Sequence, residues 1–257
     1  MSDAVLADFS LAGKCALVVG AENPLGIVAA ATLTEAGADV VIASQQPGTG
    51  DALAELAKRL ASSGRKTVVQ VQSAITRADL SASVDLTVKQ LGGLDILVNA
   101  LDYRSFAPAD ISDDSALDKI FDNTFRATWM ACQEAGRIMK RRSGGAIVNL
   151  ISVLAERGVP NASLYCASQA AMLSLTRTLA LEWAPDQIRV NALEFGWLES
   201  RGQRQGQFEE TLRKYLPDHN LIKPEELAGA LLYLVAPGAR FMTGQSLVVD
   251  GGLLCRP

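Results

Sequence analysis

CALVVGAENPLGIVAAATLTEAGADVVIAS, residues 15–44, is the stretch whose reading decides the fold. Two short apolar runs, CALVVG and ADVVIAS, flank LGIVAAATLTEAG, a segment of helical length and composition. The alternation then carries on through DALAELAKRLASSG and KTVVQVQ, so the first third of the chain reads as βαβαβ. SASVDLTVKQLGG, LDILVNA, SALDKIFDNTFRATWMACQEAGRIMKRR, GAIVNLIS, a long helix from Tyr165, IRVNALE, EELAGALLYLV and SLVVDGG continue it. Strands alternating with helices of this length predict an α/β fold with a doubly wound parallel sheet, in one domain over residues 1–257. The least regular stretch, residues 196–224, follows a strand's C-terminal end and is a candidate substrate lid; a pair of surface helices is the other reading.

Composition bounds the function. A chain of 257 residues, 49% hydrophobic and 20% charged, can bury a large core. A net charge of −4, with no like-charge run longer than Lys140 to Arg142, gives no footprint for nucleic acid. Cys15, Cys132, Cys166 and Cys255 are scattered and His219 is the one histidine, so neither a disulfide framework nor a metal site is expected. No apolar run reaches the roughly 18–20 residues that span a bilayer, and MSDAVLADFS lacks a signal-peptide pattern. A cytoplasmic protein with reduced thiols and no membrane partner is the expectation.

The first strand-to-helix turn, VVGAENPLGIV, places Gly20, Pro24 and Gly26 at the spacing of a GxxxGxG nucleotide loop whose middle glycine has become proline. Glycines in such a turn let the backbone approach a pyrophosphate at the positive end of the helix. Proline suits a first helical position but has no N–H to offer an anion. Gly20, Asn23, Leu25 and Gly26 are the residues that would meet a nucleotide there.

With LDILVNA, DNTF, IVNLIS, the Tyr165 segment, RVNALEFG and MTGQSLVVDGG following in order, the chain resembles the short-chain dehydrogenase/reductase superfamily nearly end to end, close to 3-oxoacyl reductases. The resemblance implies a Rossmann-type sheet and an Asn, Ser, Tyr, Lys tetrad. Carried over residue by residue, the tetrad becomes Asn123, Ser152, Tyr165 and, in place of lysine, Gln169. The family's lysine acts through charge: an ammonium about 4 Å from a phenol of pKa near ~10 favours the anion by roughly 4 kcal/mol at an effective dielectric of ~20. Glutamine one helical turn from Tyr165 supplies a dipole instead, able to reach toward the phenol or a ribose hydroxyl.

Other motifs depart as well. Asn99, Ala100, Leu101 and Asp102 stand where the family has NNAG, Ala74 where an aspartate touches adenine, and Glu194, Phe195, Gly196 at the proline-glycine turn, so that Phe195 adds width and Glu194 a negative charge. Ser44, Gln45 and Gln46 at the second strand's tip carry neither an acidic NAD signature nor a basic NADP one, although Ser44 and Asn23 could hydrogen-bond a ribose. Glu22 disfavours the phosphate of NADP. The resemblance implies NAD or NADP as cofactor, the departures imply weak binding or none, and Asn99 joins Gly20, Asn23, Leu25, Gly26 and Ser44 as candidate cofactor contacts.

Three functions compete. One is a non-catalytic or weakly catalytic subunit of an alcohol or hydroxyacyl dehydrogenase assembly, a homo- or hetero-tetramer with a related dehydrogenase subunit. The second is an NAD(P)-dependent oxidoreductase interconverting an alcohol and a carbonyl, with Tyr165 as acid/base, Ser152 on the substrate oxygen and Asn123 holding a water. The third is non-redox lyase, hydratase or dehalogenase-like chemistry on Ser152 and Tyr165. For a small-molecule or acyl-thioester substrate, Met172, Phe195, Trp197, Phe208 and Leu212 are candidate apolar lining, and Arg201, Arg204, Arg213 and Lys214 candidate anion contacts.

Overall fold

In the computed structural model, which describes residues 2–72, 75–142, 144–199 and 207–255, seven parallel strands form one sheet in the order β3-β2-β1-β4-β5-β6-β7. They are β1 Cys15–Val19, β2 Asp39–Ser44, β3 Thr67–Val71, β4 Ile96–Asn99, β5 Gly145–Ser152, β6 Ile188–Phe195 and β7 Ser246–Val249. The helices are α1 Ser2–Ala7, α2 Pro24–Glu35, α3 Gly50–Ala61, α4 Arg77–Leu91, α5 Asp114–Phe121, α6 Ala127–Lys140, α7 Ser163–Trp183, α8 Gln207–Lys214 and α9 Ala228–Val235. This is the doubly wound Rossmann-type arrangement that the alternation predicts. The strand order reverses between β1 and β4, which opens a crevice at their carboxyl ends.

Both faces of the sheet are covered, so the central strands can be apolar throughout. Ala16, Val18, Val40 and Ile42 pack with Leu33 of α2, Leu56 of α3 and Leu231 of α9. Their neighbours Leu17, Val19, Val41 and Ala43 point the other way, onto Leu80 of α4, Met139 of α6 and Trp183 of α7. Local chemistry sets the helix ends. Thr76 and Asp79 form a capping box on α4, and Gly92, at φ +88°, closes it in the left-handed conformation.

Two details differ from the sequence reading. The long segment around DNTF is not one regular helix: a π turn over Asp122–Arg126 separates α5 from α6. Glu194 does not add its charge to the cleft. It lies one residue before Phe195 and so points to the opposite face, where it is fully buried and accepts a short hydrogen bond from Ser246 on β7. Burial raises its pKa above the ordinary carboxylate value and nearby Glu156 adds to this, while the Ser246 hydroxyl pulls the other way.

A carboxyl whose folded-state pKa is raised contributes stability that is fully present below its unfolded value and is lost as pH rises. Glu194→Gln keeps the shape without the charge. It is expected to melt above the parent at neutral pH, by about 2–4 °C for each kcal/mol removed. The gap should close as pH falls toward about 4. Thermal melts followed by circular dichroism across that range check this, and a difference constant with pH would contradict it.

Candidate functional site

The cleft at the β1/β4 reversal is built from the turn after β1, the loop after β4, the end of β5 and the start of α7. Gly20 must approach closely: a Cβ there would sit 2.7 Å from the Ala100 carbonyl oxygen, and one at Gly26 would sit 2.5 Å from the oxygen of Gly20. These glycines let the turn pack on β4 and on itself. Asn23 caps α2, its Oδ1 accepting from the N–H groups of Leu25 at 2.9 Å and Gly26 at 3.1 Å, while its Nδ2 donates to the Ala100 carbonyl at 2.6 Å. The helix N-terminus that an anion would use is thus satisfied from within the chain, and Pro24 has no N–H to add.

At the second-strand tip the Ser44 hydroxyl is engaged within the chain, whereas the Gln45 side-chain amide is buried with neither polar atom bonded. Ser44 is fully buried; its hydroxyl accepts from the N–H of Gln46 at 3.1 Å and pairs with the Thr49 hydroxyl at 2.9 Å. Glu22 accepts from the N–H of Gln45 at 3.4 Å. Asn99 is also fully buried. Its Nδ2 donates to Asn149 Oδ1 at 2.8 Å, and Asn149 Nδ2 donates to the Thr176 hydroxyl at 2.8 Å, which staples β4 and β5 to α7 beneath the cleft. Asn149 was not singled out in the sequence; its signal is its place opposite Asn99 in the β4/β5 register. Cys132, against the Asn99 amide, has its thiol pushed up to about 12 by burial, far from nucleophilic use at neutral pH.

Ser152, Tyr165 and Gln169 come together; Asn123 does not join their hydrogen bonds. Asn123 lies in the π turn and donates to the Lys119 carbonyl at 2.7 Å. Gln169 does not hydrogen-bond the phenol: its Oε1 accepts from the Ser152 N–H at 2.8 Å, and its Nε2 is buried without a partner. The Tyr165 hydroxyl is buried and donates to Asp102 Oδ1 at 2.6 Å. Asp102 is in turn held by Arg104, through Nε at 2.6 Å and Nη2 at 2.5 Å, both on Oδ2. Arg104 lies over the Phe195 ring, 5.8 Å from its centroid, and the edge of Phe106 meets Tyr165 at 5.5 Å between centroids.

Asp102 is therefore not a lone added charge; Arg104, which the sequence reading passed over, pairs with it. Burial pushes the Tyr165 phenol well above its ordinary value and the Asp102 carboxylate pushes it further, with Arg104 and Ser152 acting in the opposite direction. Burial works against the Arg104 charge, but Asp102 and Tyr165 outweigh it and raise the guanidinium above its ordinary value.

Among the described residues, a cavity of about 230 Å³ is lined by Asn23, Pro24, Leu25, Asp102, Arg104, Leu198, Glu199 and Pro224. That is below the roughly 300–1,000 Å³ of small-molecule sites. The expected apolar lining does not gather there. Met172 and Phe195 are core residues, whereas Trp197 and Leu212 pack on a cluster with Val153 and Leu216. Ala74, Arg201, Arg204 and the Phe208 side chain lie outside the described residues, as does part of the 196–224 lid. Arg213 lies 3.6 Å from Glu199. Among the described residues there is no cluster able to hold a metal ion and no helix long and apolar enough to cross a membrane.

A family model described as enoyl-(acyl carrier protein) reductase matches residues 20–254. The chain belongs to the short-chain dehydrogenase/reductase superfamily. Among relatives of this superfamily, it is 32% identical over 249 residues to an NAD-dependent glycerol dehydrogenase of Listeria innocua, covering 95% of each chain. It is 30% identical over 255 residues to a D-threitol dehydrogenase of Mycolicibacterium smegmatis, covering 95% of this chain and 94% of that one. The solved structure of a gluconate 5-dehydrogenase from Burkholderia cenocepacia, in complex with NADP and tartrate, superposes with a TM-score of 0.90 at 30% identity over 98% of this chain and 99% of that one. The superfamily implies a dinucleotide; several polar groups that would meet one are engaged within the chain, whereas the Gln45 side-chain amide and Asn99 Oδ1 are buried without partners. The α2 N–H groups are taken, the Ser44 hydroxyl is engaged, and the Asp102–Arg104 pair occupies the cleft in front of Tyr165.

Asn23→Ala removes the cap and the tie to Ala100 together. It is expected to cost about 0.5–2 kcal/mol, the range of a lost N-cap. Chemical denaturation measures this, and a midpoint equal to the parent's would show that Asn23 does not hold the turn.

Proposed function

We propose that this chain is a non-catalytic or weakly catalytic subunit that assembles with a catalytically complete relative in an alcohol or hydroxyacyl dehydrogenase. The observation that carries this reading is the Tyr165 hydroxyl donating to Asp102, a partner from its own chain, where a working site would aim the phenol at substrate. Gln169, tied to the Ser152 backbone, brings no charge from α7. Surfaces for a partner are present: Leu181 on α7 is 81% exposed, Val248 on β7 41%, and Phe241 just before β7 is fully exposed. A tetramer, with itself or with the complete relative, in the cytoplasm accounts for such surfaces without requiring a nucleotide in every subunit. An NAD(P)-dependent oxidoreductase is the competing reading; it rests on relatives that are dehydrogenases by name.

Two measurements separate these readings. Calorimetry with NAD⁺, NADH, NADP⁺ and NADPH is expected to give dissociation constants weaker than about 1 mM, less than about 4 kcal/mol of binding; micromolar binding would contradict the proposal. Gln169→Lys removes the acceptor for the Ser152 N–H and buries an ammonium in its place. It is expected to lower stability by about 1–3 kcal/mol and to give no dehydrogenase turnover. A tenfold or greater gain in turnover, about 1.4 kcal/mol of barrier, would instead mark a dehydrogenase detuned at one residue.

A further inference from the structure

The Tyr165 site lacks a cation from α7, yet it does not lack a cation. Arg104 arrives from the loop after β4, two residues beyond Asp102, and its planar fork holds one carboxylate oxygen with two N–H groups while the other oxygen takes the phenol. The arrangement is held from three sides. Phe195 of β6 underlies the guanidinium, Phe106 and the phenol ring meet at 5.5 Å between centroids, and Ser152 at the end of β5 lies beside the phenol and acts to lower its pKa. Among the described residues, the charged groups that act most on Tyr165 are Asp102 and Arg104, both from this one loop. A guanidinium alone would favour phenolate; a carboxylate bonded to the hydroxyl opposes it.

We propose that Arg104 is the relocated cation of this site and Asp102 the counter-ion that keeps Tyr165 a hydrogen-bond donor, so that the loop after β4, and not α7, sets the acid–base state of the phenol. The inference rests on the site geometry beneath the proposed function and not on the subunit role itself. Its chemical consequence is that a single carboxylate, Asp102, keeps the Tyr165 phenol protonated and donating within its own chain. Exchanging that carboxylate for a neutral group leaves the phenol beside an uncompensated guanidinium. Asp102 and Arg104 are positioning residues acting through Tyr165.

The test is a pH titration of the full-length protein followed by the ultraviolet absorbance of tyrosinate, with Tyr165→Phe subtracted to isolate the one phenol among Tyr103, Tyr165, Tyr215 and Tyr233. In the parent, Tyr165 should be the last tyrosine to ionise. In Asp102→Asn, which keeps the shape and the hydrogen-bond acceptor, its midpoint should fall by about one pH unit or more, a tenfold change in the ionisation ratio. In Asp102→Asn combined with Arg104→Gln the midpoint should return upward. Asp102→Ser provides the same neutral comparison if the asparagine variant fails to fold. An unchanged midpoint in the neutral variant would overturn the proposal, and so would equal midpoints with and without Arg104. Neither turnover nor dinucleotide binding is read here, so failure of this experiment and failure of the subunit proposal remain distinguishable.

Discussion

Asp102 places a carboxylate whose side chain is only 6% exposed at the mouth of a cleft, and a buried carboxylate is costly unless both oxygens are engaged. Its two oxygens are divided between Tyr165 and Arg104. Much of the local structure follows from that division. The loop after β4 is drawn across the cleft, Arg104 is laid on Phe195, and Phe106 closes on the phenol. Removing Arg104 would leave the Asp102 charge without its counter-ion, while removing the Tyr165 hydroxyl would leave one carboxylate oxygen without its donor.

The same self-sufficiency recurs at the other end of the cleft. Backbone N–H groups at a helix N-terminus are unsatisfied by the geometry of the helix and must be met by side chain, water or ligand. Here the Asn23 carboxamide meets two of them and ties the turn to β4 as well. Phosphate at this position would have to displace a cap made from within the chain. Superfamily membership rests on the sheet, its strand order and its glycine contacts, which are packing features, and packing does not require the nucleotide.

The fold was legible because period and length are local. The apolar runs of β1 and β2 and the intervening helix declare themselves in residues 15–44, and the alternation extends that reading to the whole sheet. The meeting of Ser152, Tyr165 and Gln169 was legible too, from motif spacing. What Gln169 bonds was not, because a glutamine one turn from Tyr165 can face the phenol or the neighbouring strand, and the choice is made by the Ser152 N–H. Arg104 escaped notice because it lies in a loop with no periodicity, and only its approach to Asp102 distinguishes it from an ordinary surface arginine. The direction of Glu194 could have been found: adjacent residues in a strand point to opposite faces, so Phe195 and Glu194 cannot both line one cleft.

The proposed subunit role requires that the chain fill its own nucleotide cleft, with Asn23 at the phosphate end and Asp102 at the phenol. A crystal structure grown with NAD⁺ in large excess tests it most directly. The account predicts Asn23 still on the N–H groups of Leu25 and Gly26, Asp102 still between Tyr165 and Arg104, and no dinucleotide along the cleft. A dinucleotide bound with its pyrophosphate on those two N–H groups, and Tyr165 turned from Asp102 to the ribose, would contradict it.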